Sequence, residues 1–230
     1  MVSTLDNGPG LTREHLLEAA GEVFADVGYR GATVRQICDR AGTNVAAINY
    51  HFGDKEALYL AVLKQSYRAA VEKFPMDLGA TAPSTPEKKL KAFVQAFLLR
   101  IFSTGPTARH GRLMAREMID PTAALDAMVR DEIRPMSQAL DAITRELLGP
   151  DASEETVRRC GMSVVSQILF YHHCRPVVSR LFPRMSFEPA EMDRLTEHIT
   201  RFSLAGFAQM SGSPTNPLPV PGKPKRSRRG

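Results

Sequence analysis

Apolar residues recur every three or four positions along almost the whole chain, and this spacing most constrains the fold. It is the spacing of one face of an α-helix. In the first such segment, about 12–27, the apolar face consists of Leu16, Ala20, Val23, Phe24 and Val27. The alternation of apolar and polar residues typical of a half-buried strand does not occur in the sequence. The sequence therefore predicts an all-α protein.

Capping residues, glycines and prolines divide the chain into about nine predicted helices. Thr12, Thr33 and Asp54 can cap helix N-termini, and Gly28 and Gly42 can end helices. Pro135 and Pro176 lie inside two of the longer segments and are expected to kink or split them. The predicted helices span about 12–27, 33–41, 44–51, 54–74, 86–103, 108–118, 121–148, 153–182 and 188–210.

The positive net charge is a poor guide to nucleic-acid binding in this chain. The formal net charge is +5, but segment 211–230 alone contains five basic residues and no acidic one. Segment 11–56 has five basic against seven acidic residues, a net charge of −2. Any contact with DNA in that segment must therefore depend on where individual charges lie.

The composition also bears on where the protein works. The sequence contains no run of eighteen apolar residues, so we expect no membrane partner. The first ten residues lack the basic and apolar regions of a secretory signal. Three cysteines fit a reducing compartment better than a disulfide framework. We therefore expect a cytoplasmic protein.

Two short helices joined at Gly42 predict a helix-turn-helix unit. The second helix, 44–51, has only small side chains in its first turn, which lets its backbone approach base edges in the major groove. Polar side chains at its end and at neighbouring helix starts can reach bases or phosphates. The predicted DNA-binding residues are Thr33, Arg35, Asn44, Val45, Ala46, Ala47, Asn49, Tyr50, His51 and Lys55.

Several of these residues also have a purely structural interpretation. Asn44 can act only as a helix cap, and Tyr50 can pack against its neighbours. His51 can be a core histidine, and Arg35 can pair with Asp39 one turn later. The prediction of DNA binding depends on the combination of turn glycine, spacing and small side chains.

The stretch GYRGATVRQICDRAGTNVAAINYHFGDKEALY resembles the N-terminal domain of tetracycline-repressor (TetR) family regulators. The shared pattern is Phe-x-x-x-Gly-Tyr-x-Gly-x-Thr from Phe24 to Thr33, and Tyr-His-Phe-Gly-x-Lys-Glu-x-Leu from Tyr50 to Leu58. The chain departs from the family at Asn49, where many members place a tyrosine that touches phosphate. The resemblance therefore assigns this contact to Asn49 or to Tyr50.

The second half resembles the C-terminal domain of a CecR-like subgroup of the same family, in REMIDPTAALDAMVRDEIRPM and SVVSQILFYHHCRPVV. The resemblance implies a homodimeric transcriptional repressor, released from a palindromic DNA operator by a small-molecule effector. The expected domains are a disordered 1–10, the helix-turn-helix domain 11–56, the effector-binding and dimerisation domain 57–210, and a disordered basic tail 211–230. The family places its last two long helices, here 153–182 and 188–210, in the dimer interface.

An effector pocket is expected among the helices of 86–182. Methionine and aromatic side chains adapt well to apolar ligands, although the same residues can be ordinary core. The predicted pocket residues are Phe93, Phe97, Ile101, Met114, Met118, Met128, Met136, Phe170 and His173. Arg116 and Glu117 are expected to form an ion pair near the pocket or at the surface.

A metal-dependent enzyme or metal sensor is the alternative, suggested by His172, His173 and Cys174, with His110 as a further ligand. Adjacent helical residues point about 100° apart, so these three cannot all reach one ion. The sequence also lacks a nucleophile elbow and a glycine-rich phosphate loop. We therefore predict no catalytic residue, no metal and no cofactor. A redox role for Cys160 or Cys174 is equally disfavoured, because few basic groups flank them.

Overall fold

The computed structural model describes residues 9–78, 84–103 and 108–211, and it confirms the all-α prediction over these residues. The first four helices are α1 (Pro9–Gly31), α2 (Val34–Ala41), α3 (Val45–Phe52) and α4 (Lys55–Lys73). Gly28 has a positive φ of 76° and interrupts α1 at the predicted break. None of the described helices is both long and apolar enough to cross a membrane.

Seven further α-helical segments form the rest of the described chain. They are α5 (Pro86–Phe102), α6 (Ala108–Ile119), α7 (Ala124–Met128), α8 (Arg134–Leu148), α9 (Glu154–His173), α10 (Arg175–Leu181) and α11 (Pro189–Met210). A π-helical turn, Val129–Ile133, joins α7 to α8. The described residues thus form eleven α-helical segments, against about nine predicted helices.

The two internal prolines account for the different count. Pro135 lies in the first turn of α8, where a missing N–H is tolerated, and the wider π turn precedes it. Helical structure therefore runs without a gap from Ala124 to Leu148, and α7 and α8 count as two segments because the π turn separates them. Pro176 instead lies in the first turn of α10, after a break at Cys174 that divides the predicted helix 153–182. Both prolines perturb the helix as expected, but only Pro176 ends it.

The described helices enclose two apolar cores. The first core lies among α1–α4 and also includes Leu113, Ala124 and Met128 from α6 and α7. The second core lies among α5, α8, α9 and α11. Helix α4 supplies Leu58 and Tyr59 to the first core, so this core extends past residue 56. The domain boundary at residue 56 stays a prediction.

The two predicted disordered ends fall mostly outside the described residues. Residues 1–8 and 212–230 are not described, so neither the N-terminal segment nor the basic tail is tested. Pro9 and Gly10, which were included in the predicted disordered end, begin α1. Ser211 follows α11 and donates its N–H to the carbonyl of Phe207 at 2.9 Å.

Candidate nucleic-acid interface and effector cavity

Helix α3 is fixed on one side and exposed on the other. Ile48 is fully buried in the first core, whereas Tyr50 has 80% of its surface exposed. Ala46 and Asn49 are also exposed. Asn44 caps the helix, since its Oδ1 accepts the N–H of Ala47 at 3.1 Å. Helix α3 therefore presents a free face with small side chains at its start and polar ones at its end.

Helix α2 begins with a reciprocal cap that the sequence analysis did not identify. Thr33 Oγ1 accepts the N–H of Gln36 at 3.2 Å, and Gln36 Oε1 accepts the N–H of Thr33 at 2.9 Å. Arg35 lies beside Asp39 at 4.0 Å, with 89% of the arginine side chain exposed. Such an exposed pair is weak, so Arg35 remains available to a phosphate. Gly42 ends the helix with a φ of 64°.

Lys55 has partners inside the protein as well as a position near α3. Its Nζ donates to the Ala32 carbonyl at 2.7 Å and lies 4.4 Å from the centre of the Tyr29 ring. Burial lowers the pKa of this ammonium group. Because an ammonium group has three N–H donors, the bond to Ala32 leaves others for a phosphate. His51 is half-buried, with its ring centre 4.9 Å from that of Tyr50.

A cavity of about 180 Å³ lies between α4, α5, α6, α8 and α9. Phe97, Ile101, Met114, Met118, Met136 and His173 line it, as the sequence analysis expected. The lining residues that were not predicted are Tyr67, Arg100, His110, Gly111, Ala115, Ile133, Val165, Leu169 and His172.

Three residues predicted to line the pocket lie elsewhere. Phe93 is buried in the second core, with its ring edge against Phe97. Met128 is fully buried in the first core, because α7 packs against α4. Phe170 has 54% of its surface exposed, since it follows Leu169 on α9 and points about 100° away from it. Apolar spacing alone did not separate core, cavity and surface.

The cavity also contains polar side chains that the sequence analysis did not predict. Arg100 is only 2% exposed, and its Nε donates to the Phe74 carbonyl at 2.8 Å. His110 is buried with its ring edge against Tyr67. His172 lies edge-on to Phe102. Arginine and histidine on a helix are usually exposed, so the sequence offers no strong sign of this burial.

Helix α6 joins this cavity to α1. Its Arg109 forms a two-bond ion pair with Glu18 of α1. Arg116 donates to the carbonyls of Ala25 and Asp26 at 3.1 and 2.5 Å. The same helix lines the cavity with His110, Met114 and Met118. A displacement of α6 would therefore act on the helix that supports α2 and α3.

A buried carboxylate on α6 makes a second connection to the first four helices. Glu117 is 1% exposed and accepts the hydroxyl hydrogen bond of Tyr59 at 2.7 Å. It also accepts the N–H of Thr122 at 2.6 Å. The expected ion pair between Arg116 and Glu117 is wrong, because the two adjacent side chains point to different partners.

Across the described helices, no group of three or more His, Cys, Asp or Glu side chains is placed to hold a metal ion. His172 and His173 lie with ring centres 5.4 Å apart. Cys160 is buried, and burial raises the pKa of its thiol, which disfavours the reactive thiolate form.

Two family models match the chain. Residues 16–62 match the model described as bacterial regulatory proteins of the TetR family. Residues 86–207, more than half of the chain, match the C-terminal domain of the HTH-type transcriptional dual regulator CecR. The chain belongs to the TetR family. Its second half is of the CecR type.

Known TetR-family relatives span most of the chain. The dual regulator CecR of Shigella flexneri is 25% identical over 89% of this chain and 99% of its own length. The transcriptional activator FasR of Mycolicibacterium smegmatis is 40% identical over 86% of this chain and 84% of its own length. The Bacillus subtilis regulator FadR, solved in complex with stearoyl-CoA, has a TM-score of 0.65 at 16% identity. That alignment covers 84% of this chain and 98% of FadR, and it shows the shared fold.

Membership of the TetR family settles the class of protein. The matched proteins are DNA-binding transcriptional regulators with a helix-turn-helix domain, and they are not enzymes. The chain is accordingly a DNA-binding transcriptional regulator. The alternative of a metal-dependent enzyme built on His172, His173 and Cys174 is set aside on this ground.

We expect this TetR-family protein to lose stability in mild acid because of His110. Burial, with the positive charge of Arg100, lowers the pKa of His110 from 6.5 to about 4. Between these values the unfolded chain binds a proton that the folded chain does not, so stability falls as pH drops from about 6.5 to 4. The loss from His110 is on the order of 3 kcal/mol. Urea unfolding between pH 7 and 4 measures it.

The matched variants are His110→Leu and His15→Leu. His15 is exposed on α1, so its replacement should leave the dependence of stability on pH unchanged. His110→Leu should remove most of the contribution from His110. Identical pH profiles for the wild type and His110→Leu would contradict a buried, neutral His110.

Proposed function

We propose that the protein is a dimeric repressor that binds a palindromic operator and is released from it by a small-molecule effector. The observation that carries this proposal is the position of α6. The helix lines the 180 Å³ cavity on one side and forms ion pairs and hydrogen bonds to α1 on the other. An effector in the cavity can therefore act on the helix-turn-helix unit through direct contacts.

The proposed DNA contacts are those of α3 and the neighbouring helix starts. Val45, Ala46 and Ala47 allow the backbone of α3 to approach the bases, and Asn49 and Tyr50 are exposed beside them. Further contacts come from Thr33, Arg35, Asn44, His51 and Lys55. Because phosphate contacts release counterions, we propose that Arg35 and Lys55 contribute to affinity for all duplexes alike.

Exposed apolar side chains support a homodimer through α9 and α11. Met162 and Phe170 on α9, and Phe202 on α11, each leave about half or more of their surface exposed. Large exposed apolar groups on neighbouring helices favour a protein interface. A twofold dimer would place two copies of α3 on successive turns of the duplex, which is why the operator is expected to be palindromic.

We propose that coupling works by a shift between two arrangements of α6. The effector needs to bind one arrangement more tightly than the other. The free energy by which bound effector weakens operator binding then equals the free energy by which bound operator weakens effector binding. Helix α4 takes part as well, because its Tyr67 lines the cavity and its Lys64 pairs with Asp131 at 2.6 Å. Both helices therefore connect the cavity to the DNA-binding residues.

Selection from a pool of random duplexes tests DNA recognition directly. The purified full-length protein is mixed with the pool at physiological salt, and retained duplexes are sequenced over several rounds. We expect a palindromic consensus with two half-sites about one or more helical turns apart. Absence of any enriched sequence, with the protein shown to be helical and folded, would overturn the proposal.

The sign of regulation needs its own measurement. The relatives include repressors named AcnR as well as the activator FasR, so the activator is the second candidate. Transcription in vitro from a promoter that carries the selected operator separates the two. A repressor lowers transcript yield as protein is added, and an activator raises it.

Filling the cavity at Met118 should change the response to effector and leave operator binding nearly unchanged. Met118→Trp introduces a larger side chain at a lining position of α6. We expect at least a tenfold change in the effector concentration needed for release, because the ligand and the indole compete for space. Operator titrations with and without effector measure both quantities.

Ile119→Trp is the matched control for Met118→Trp. Ile119 is the next residue of α6 and is 84% exposed, so its replacement should alter neither quantity. If Met118→Trp weakened operator binding as much as it weakened the effector response, Met118 would not be a cavity residue in solution.

A further inference from the structure

The cavity contains one buried positive charge that has no acidic partner among the described residues. Arg100 is 2% exposed, and its Nε is bonded to the Phe74 carbonyl. Its Nη2 makes no hydrogen bond to any described residue. A buried guanidinium without a counter-charge is costly, because it has given up its hydration. An anion in the cavity would replace both the lost hydration and the missing hydrogen-bond acceptor.

Two other residues that line the cavity also carry a polar atom without a partner in the described chain. These atoms are Nδ1 of His110 and Nδ1 of His172, and both are buried. The pKa of each imidazole is lowered to about 4, first by burial, so both rings are neutral near pH 7. A neutral imidazole carries one N–H and can donate it to a ligand oxygen.

The remaining residues that line the cavity indicate the chemistry of the rest of the ligand. Met114, Met118 and Met136 line the cavity together with Ile133 and Leu169. None of the described lining residues is acidic. The surroundings therefore favour an apolar body and disfavour a cation. At about 180 Å³ the cavity suits a small ligand.

We propose that the effector is an apolar monocarboxylic acid, with its carboxylate at Arg100 and its apolar body against the methionines. The planar guanidinium matches the two oxygens of a carboxylate, and charge-assisted bonds of this kind are stronger than neutral ones. This inference rests on the proposed function, because it names the chemical class of the effector. It adds Arg100 as the residue that determines specificity.

Calorimetric titration of the full-length protein with ligands that share one alkyl chain tests the proposal. Octanoate, octanol and octylamine have matched apolar bodies and differ in the head group. We expect octanoate to bind at least tenfold more tightly than either of the others. Equal affinity for octanol, tighter binding of octylamine, or no octanoate binding would overturn the proposal without the use of any variant.

Octanoyl-CoA distinguishes a free acid from its thioester. A second surface cavity of about 590 Å³ shares Ile101 and His172 with the first and is lined by Lys73, Arg112 and Arg175. These side chains offer a polyanionic head group a different place to bind. Tighter binding of octanoyl-CoA than of octanoate, unaffected by Arg100→Met, would overturn the assignment of the carboxylate to Arg100.

Arg100→Met and Arg158→Met form the matched pair of variants. Arg158 is exposed on α9, so its replacement should leave octanoate affinity unchanged, whereas Arg100→Met should lower it at least tenfold. Operator binding is measured in parallel on the selected duplex. If the wild-type protein bound the operator but not octanoate, this inference alone would be contradicted. If the wild-type protein bound octanoate but retained no duplex, the proposed function would be contradicted instead.

Discussion

Ala46→Glu should reduce operator affinity at least 100-fold, equivalent to about 2.8 kcal/mol. Ala46 is exposed in the first turn of α3, where the helix is proposed to approach the bases. The longer side chain would hold the backbone away from the groove, and its charge would face the phosphates. Electrophoretic mobility shifts on the selected operator measure the loss.

The fold should survive this substitution. An acidic residue in the first turn of a helix interacts favourably with the helix dipole, so the thermal unfolding midpoint should stay within about a degree or two of the wild type. Ala69→Glu places the same charge on an exposed position of α4 and should bind the operator normally. If both variants bound it normally, α3 would not be the recognition helix.

Glu117→Leu should destabilise the folded protein by about 3 kcal/mol. Glu117 accepts hydrogen bonds from the buried Tyr59 hydroxyl and from the half-buried N–H and hydroxyl of Thr122. Leucine would leave the buried Tyr59 hydroxyl without an acceptor, at a cost of about 1–3 kcal/mol, and would also remove the acceptor of the two half-buried Thr122 donors. Urea denaturation followed by circular dichroism gives the free energy of unfolding.

The control for this variant is Glu72→Leu on the exposed side of α4. Surface substitutions of this kind usually change stability by less than about 0.5 kcal/mol. Glu117→Gln should lie between the two, because the amide keeps an acceptor oxygen for one of the donors. A loss below about 1 kcal/mol for Glu117→Leu would mean that water replaces the carboxylate, and that this network does not hold α6 to α4.

Local sequence signals were enough to locate α3, since its cap Asn44, the glycines at 42 and 53 and the buried Ile48 all lie within twelve residues. The same holds for the break before Pro176. The partners of Lys55 could not be predicted, because Ala32 and Tyr29 reach it only after α1 and α4 have packed together. Helical periodicity also failed to place Phe93, Met128 and Phe170, which do not line the cavity. Periodicity identifies the apolar face of a helix, but it does not show whether a core, a cavity or a partner lies against that face.

Arg100 marks a different limit of sequence analysis. A charged residue on an amphipathic helix is normally assigned to the solvent face, and its neighbour Leu99 gives no contrary sign. The burial of Arg100 arises from α4, whose end at Phe74 supplies the carbonyl acceptor. A helical pattern in the sequence therefore cannot identify a charge that tertiary packing places inside the protein.

The bonds from Arg116 to α1 end on main-chain oxygens, those of Ala25 and Asp26. Every amino acid carries such an oxygen, so these two hydrogen bonds do not themselves require a particular side chain at either position. Among the described side chains of α1, Glu18 and Asp26 form ion pairs with α6, through Arg109 and Arg112. An exchange of the first four helices for those of another regulator would need to conserve these two acids, and also the α4 side chains that bond to the second half, Tyr59 and Lys64 among them. The proposed effector-binding half could then be combined with new operators, both in evolution and in engineered biosensors.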